Sequence, residues 1–224
     1  ESGVTLLSVD GANSTTIDGS GQTFGNLMAS TITIRPESNS PTIPQNIEVN
    51  GFTITGGIGN SMNRIINTSE GPQTITERLG GGIMTYNTSP KIKYNRIRNN
   101  GNDQTKIAGG DMVIDSAEDW SFNDRDYIIN PELPPATEPL DLSNNAFINN
   151  IAHQAHSVYI SGFTGIETLM TEDTLDVFST TYMTTSEYWV VSDSSDINYS
   201  GSIGISEPVE TDVWVDPING YNDN

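Results

Sequence analysis

The chain contains no cysteine. That excludes disulfide staples, thiol nucleophiles and cysteine-ligated zinc, and leaves burial and backbone hydrogen bonds to hold any fold together. Basic side chains are scarce, nine Lys and Arg against 29 Asp and Glu, for a formal net charge of -20. Phosphate backbones are bound through clustered Lys and Arg, so this balance argues against a nucleic-acid partner. No apolar run approaches the roughly 20 residues a membrane span requires, and Glu1 to Asp10 lacks the basic-then-apolar pattern of an export signal. These absences predict a soluble piece without membrane insertion, its export signal removed or never part of it.

The charge that is present is uneven. Every Lys and Arg lies between Arg35 and Arg125, whereas Tyr127 to Asn224 carries 15 acidic residues and no basic one. Two regions with different surfaces follow. Acidity of this kind suits solubility in salty or extracellular surroundings, with a divalent-cation role as the alternative.

Helical periodicity is nearly absent. Short alternating stretches such as Thr31-Ile32-Thr33-Ile34 and Phe52-Thr53-Ile54-Thr55 are separated by Gly, Asn, Ser and Pro, which predicts an all-β chain. A sandwich would also alternate, so register decides. The segments starting at Asn50, Asn95 and Asn145 each place a large apolar residue (Phe52, Ile97, Phe147) two positions after the Asn. Their starts, 45 and 50 residues apart, predict two solenoid coils of roughly 22 to 25 residues per interval. The chain's 23 Asn fit the corners of such a solenoid, where Asn tolerates left-handed backbone and its amide can bond the Asn one coil above. The expected core is Val4, Leu6, Ile17, Ile32, Ile34, Val49, Phe52, Ile54, Ile83, Ile92, Ile97, Phe147 and Ile148.

Val4 to Ser8, then Thr15 to Gly21, then Ile47 to Gly57, followed by Gly80 to Ile83, Thr88 to Ile92 and Asn95 to Asn100, resemble secreted bacterial right-handed parallel β-helix repeat proteins. The resemblance is to the pectate-lyase-like superfamily fold with polymorphic outer-membrane-type repeats, and it covers Val4 to about Asn150. It implies a right-handed parallel β-helix solenoid over 1–160. Asp115 to Leu140, acidic and proline-rich, is expected as a loop inserted near 115–140. Residues 161–212 read as irregular terminal coils or a small β-appendage. Residues 213–224 read as a final strand and polar tail, or as the start of a following β-helix domain. Such fold analogy does not specify activity, since the family spans polysaccharide lyases, hydrolases and adhesins.

Lys91, Lys93, Arg96 and Arg98 form a basic rib, outward beside inward Ile92 and Ile97. The resemblance makes them candidates to bind an acidic sugar, with Asp111, Asp115, Glu118 and Asp119 one coil on as supporting acids; ion pairing between rungs is the competing reading. The carboxylate pairs Asp115 with Asp119 and Asp124 with Asp126 are formal candidates for glycoside hydrolysis. His153 and His156, three apart, signal no third metal ligand. Asp193, Asp196 and Asn198 offer oxygens for Ca²⁺, or form an ordinary polar turn.

The expected function is an extracellular or cell-surface scaffold or adhesive module, facing polysaccharide or cell-surface glycan. A polysaccharide lyase or hydrolase acting on an acidic glycan is the enzymatic alternative. A third expectation is a structural subunit, a homo-oligomer growing by end-to-end strand pairing into a filament.

Overall fold

The computed structural model describes residues 3–23, 25–101, 107–108, 112–115, 121–124, 126–130, 132–134, 136–152, 157–161, 167–175, 189–191 and 196–203. For 107–108, 113–115, 161 and the strands beyond, the backbone alone is described. The chain is all-β, with no helix among the described residues. In order the strands are β1 (Thr5–Leu7), β2 (Thr16–Asp18), β3 (Ile32–Ile34), β4 (Glu48–Asn50), β5 (Thr53–Thr55), β6 (Asn60–Thr68) and β7 (Gly71–Leu79). There follow β8 (Ile83–Tyr86), β9 (Lys91–Lys93), β10 (Arg96–Arg98), β11 (Ile107–Ala108), β12 (Met112–Asp115) and β13 (Ser121–Phe122). The last are β14 (Leu140–Asp141), β15 (Ala146–Ile148), β16 (Val158–Ser161), β17 (Glu167–Leu175), β18 (Trp189–Val191) and β19 (Asp196–Ile203).

Most strands pair in parallel with a strand far along the chain, in three rows. The first is β1-β4-β9-β14, the second β2-β5-β10-β15, and nine-residue β17 pairs with the last strand of both, joining them in one ten-stranded sheet that β19 extends. The third row, β3-β8-β12-β16-β18, is a separate five-stranded sheet. Strands of three or four residues are too short to stand alone, and their stability comes from the side chains they align. Leu6, Val49 and Ile92 stand in register in the first row; Ile17, Ile54, Ile97 and Phe147 in the second; Ile32, Ile83, Met112 and Val158 in the third. These columns supply most of the main hydrophobic cluster, with Ile17 and Ile32 packed at its margin.

Three expected core residues lie elsewhere. Val4 and Leu6 are 60% and 41% exposed, because β1 has a partner on one side only and no described strand stacks beyond it. Ile148 sits in register with Arg98 and Thr55 on the outward face and is half-buried. Neighbours in a strand point to opposite faces, so Phe147 and Ile148 cannot both be inward.

The repeat length also needs correction. Ile97 pairs directly with Phe147 on one side and with Ile54 on the other. Each long interval is therefore a single step along a row, not two coils. The steps are unequal, and the shortest in the second row runs from Phe147 to Leu175. Asn50 likewise aligns with Lys93, two positions short of Asn95.

The turns around β10 repeat in detail. Gly51, Tyr94 and Asn144 occupy successive positions of one corner with φ of 83°, 55° and 63°, and Gly56, Asn99 and Asn149 repeat the conformation at the next corner with 78°, 54° and 53°. Beside each corner runs a buried asparagine ladder. Asn145 Oδ1 accepts from the backbone N–H and the amide of Asn95 at 3.1 and 3.2 Å, while Asn95 Oδ1 accepts from Phe52 N–H at 3.0 Å. Asn150, Asn100 and Gly57 N–H repeat the chain of bonds. Each amide also donates to the carbonyl of an inward strand, Asn95 to Val49, Asn145 to Ile92, Asn100 to Ile54 and Asn150 to Ile97. A buried Asn is tolerated where its amide is satisfied, and these amides bond across rows of backbone that would otherwise end at a turn.

Between β5 and β8 the chain makes an antiparallel hairpin, β6 with β7, against which β13 pairs antiparallel and β11 parallel. The hairpin covers the outward side of β8 and creates a second cluster of Met62, Leu79, Met84, Tyr86 and Phe122. Phe122 meets Tyr86 and Tyr127 edge-on, and the Arg35 guanidinium lies 4.5 Å from the Phe122 centroid and 3.8 Å from that of Tyr127. The expected inserted loop near 115–140 thus carries a strand. Asn87 fastens it further on, accepting from Ala136 N–H at 3.0 Å and donating to the Pro134 carbonyl at 3.1 Å.

Candidate functional surface

The basic rib occupies consecutive strands on either side of a corner. In β9 the pattern Lys-Ile-Lys places Ile92 fully inside and the lysines outward, and Arg-Ile-Arg in β10 does the same around Ile97. The four cations therefore divide between two rows, with Tyr94-Asn95 between them.

Parallel register decides what each cation meets. Lys91 stands between Glu48 and Asp141 in register, and Lys93 Nζ lies 3.0 Å from Asp141 Oδ2. Arg96 stands between Thr53 and Ala146, and its Nη1 donates to Asn13 Oδ1 at 2.7 Å. Arg98 stands between Thr55 and Ile148. Neither partner, Asp141 or Asn13, is signalled by the rib's own residues. Asp141 was discoverable by carrying Lys91 forward along the chain by the same step that links Ile97 to Phe147.

The Lys93–Asp141 pair shifts both groups toward their charged forms. For Lys93 the hydrogen bond to Asp141 is the main cause; burial opposes it, and the charges of Asp141 and Glu48 reinforce it. For Asp141 burial is the largest single influence and favours the neutral acid, but hydrogen bonds from Lys93 and Ser143 and the ammonium's charge together outweigh it, so the carboxyl is lowered. A lowered carboxyl adds stability above its unfolded value of 3.8, lost as pH falls through the folded value; a raised ammonium adds stability below 10.5, lost as pH rises through its folded value. The pair is thus at full strength between those limits. Asp141→Asn is expected to cost below about 1 kcal/mol at neutral pH, because both groups are partly exposed. In thermal melts the deficit should shrink as pH falls below 3.8. A deficit unchanged from neutral to strongly acidic pH would show that the pair's charge contributes nothing.

Other candidates are dispersed. The Asp124 carboxylate accepts from Arg35 at 3.4 Å and from the Asp126 backbone N–H at 3.1 Å, so it is tied to the inserted segment. Asp111, Glu118, Asp119, His153, His156 and Asp193 lie outside the described residues, as do the side chains of Asp115, Asp196 and Asn198. The backbone of Asp115 ends β12, and Asp196 and Asn198 lie in β19 in register with Glu167 and Leu169. Among the described residues no group of three or more His, Asp or Glu is placed to hold a metal ion.

No family model matches the chain, and neither a curated protein nor a solved structure matches it.

Proposed function

We propose that the three rows are the faces of a right-handed parallel β-helix, and that the chain is an extracellular scaffold or adhesive module that presents its outward strand faces to carbohydrate. Handedness follows from the strong right-handed preference of parallel crossover connections. Three columns of inward apolar residues and two asparagine ladders support the helix. The observation that carries the scaffold reading is the destination of two of the rib's four cations. Lys93 is bound to Asp141 and Arg96 to Asn13, each on another turn of the chain, so these charges join neighbouring rungs. A secreted origin rests on the sequence resemblance and on the acidic composition.

The test is a panel of neutral and acidic polysaccharides, scored for binding and for unsaturated products or new reducing ends, with and without calcium. Binding without turnover is the expected result. Robust depolymerisation abolished by Arg96→Ala or Arg98→Ala would replace the scaffold with a polysaccharide lyase or hydrolase, and calcium-dependent binding would bring Asp193, Asp196 and Asn198 into the site.

A further inference from the structure

Tyr94 is out of place for its backbone. Its corner column runs Gly51, Tyr94, Asn144, and the neighbouring column runs Gly56, Asn99, Asn149, all left-handed. Five of these six positions hold Gly or Asn, the residue types that adopt this conformation with least strain. The sixth holds a bulky aromatic, and burial does not offset the strain, since Tyr94 is 53% exposed and belongs to neither hydrophobic cluster. Among the described residues its hydroxyl has no hydrogen-bond partner in the protein. Strain retained at an exposed position points to use of the side chain itself.

Its surroundings are polar and fixed. Lys93 Nζ lies 5.7 Å from the ring centroid and is itself held by Asp141 at 3.0 Å, while Asp141 Oδ1 accepts from Ser143 N–H. An exposed aromatic ring beside an anchored ammonium and carboxylate is suited to a sugar. The ring takes the apolar C–H face of a pyranose, and the ion pair supplies a donor and an acceptor for its hydroxyl groups.

We infer that Tyr94, with Lys93 and Asp141, forms a subsite for a neutral pyranose of a glycan chain. This rests on the carbohydrate-facing reading above. The neutral class follows from charge: Lys93 is already matched by Asp141, Lys91 stands in register between Glu48 and Asp141, and the net charge of -20 repels polyanions.

The experiment titrates the whole chain, by ligand-observed NMR and calorimetry, with cellohexaose, xylohexaose and mannohexaose, and with oligogalacturonate as the acidic probe. Tyr94→Asn installs the residue found at the next corner, and Tyr94→Phe keeps the ring. The expected result is binding of at least one neutral oligosaccharide, weakened at least about tenfold by Tyr94→Asn and little by Tyr94→Phe, with the Tyr94→Asn melting temperature equal to or above the parent's. Undiminished neutral-glycan binding by Tyr94→Asn would overturn the subsite and leave the carbohydrate reading standing. Binding of oligogalacturonate alone would overturn the neutral class. Binding of no glycan at all, here and across the polysaccharide panel, would remove that reading together with the subsite. A lowered melting temperature for Tyr94→Asn would assign Tyr94 to structure and overturn the argument from strain.

Discussion

Ile97→Asp is expected to unfold the chain at neutral pH or to lower its stability by at least about 3 kcal/mol, read by chemical denaturation followed with circular dichroism. Ile97 is fully buried between Ile54 and Phe147 in the second row, so a carboxylate there has neither water nor a counter-charge in its column. Phe147→Asp should behave alike, since Phe147 is 1% exposed in the same column. The control is one residue away. Arg98→Asp changes charge by more but faces outward between Thr55 and Ile148, and is expected to cost below about 1 kcal/mol. Equal losses for Ile97→Asp and Arg98→Asp would contradict the inward assignment of the column.

The second large effect is expected from Asn145→Ala, at about 3 kcal/mol. Asn145 Oδ1 accepts from the N–H and amide of Asn95, and its own amide donates to Ile92 O at 2.7 Å and to Leu142 O. Truncation leaves these groups buried without that partner, at about 1–3 kcal/mol each, with partial relaxation keeping the total below their sum. Asn145→Asp separates acceptor from donor. Its ionised carboxylate still accepts from Asn95 but faces the two carbonyls with no proton, so its folded pKa should rise above the unfolded value near about 3.9. The variant should then lose stability as pH climbs from that value through the raised one. A denaturation midpoint for Asn145→Ala equal to the parent's would show the ladder to be ornamental to stability.

The alternation of inward and outward residues was legible because it is local: Ile92, Ile97, Val49 and Ile54 announce themselves by polar neighbours on both sides. The step across β10 and β15 was legible because Asn95 and Asn100 recur at Asn145 and Asn150. The preceding step was misread by two positions. A slip of two preserves every side chain's face, so Asn50-Gly51-Phe52 fits the inward pattern in either register. Only the pairing of Ile54 with Ile97 decides, and it puts Phe52 where Asn95 stands and lets its backbone N–H take the amide's place in the ladder. The halving of each interval had a similar origin. The antiparallel hairpin of β6 and β7 consumes chain in the first interval, and the segment carrying β13 does so in the second, neither marking itself as extra. At the surface, the outward cations were visible and Asp141 lay within reach of the Ile97-to-Phe147 step, whereas Asn13 carries no mark of the repeat that would join it to Arg96. Tyr94 carries no such signal, because a left-handed φ leaves no trace in a single Tyr; its equivalence to Gly51 and Asn144 exposes it once the register is known.

The unequal steps have a consequence for how such a chain tolerates change. In the second row the stretch from Ile97 to Phe147 is far longer than that from Phe147 to Leu175, yet Ile17, Ile54, Ile97, Phe147 and Leu175 still meet strand to strand. Added length leaves between strands as hairpin or strap and returns to the same register. Insertions and deletions at those exits are therefore nearly neutral to the rows, whereas the loss of a single residue within a three-residue strand inverts it. Diversification of this molecule is confined by that asymmetry to its exits, among them the Thr68–Gly71 end of the hairpin, closed by Thr68 Oγ1.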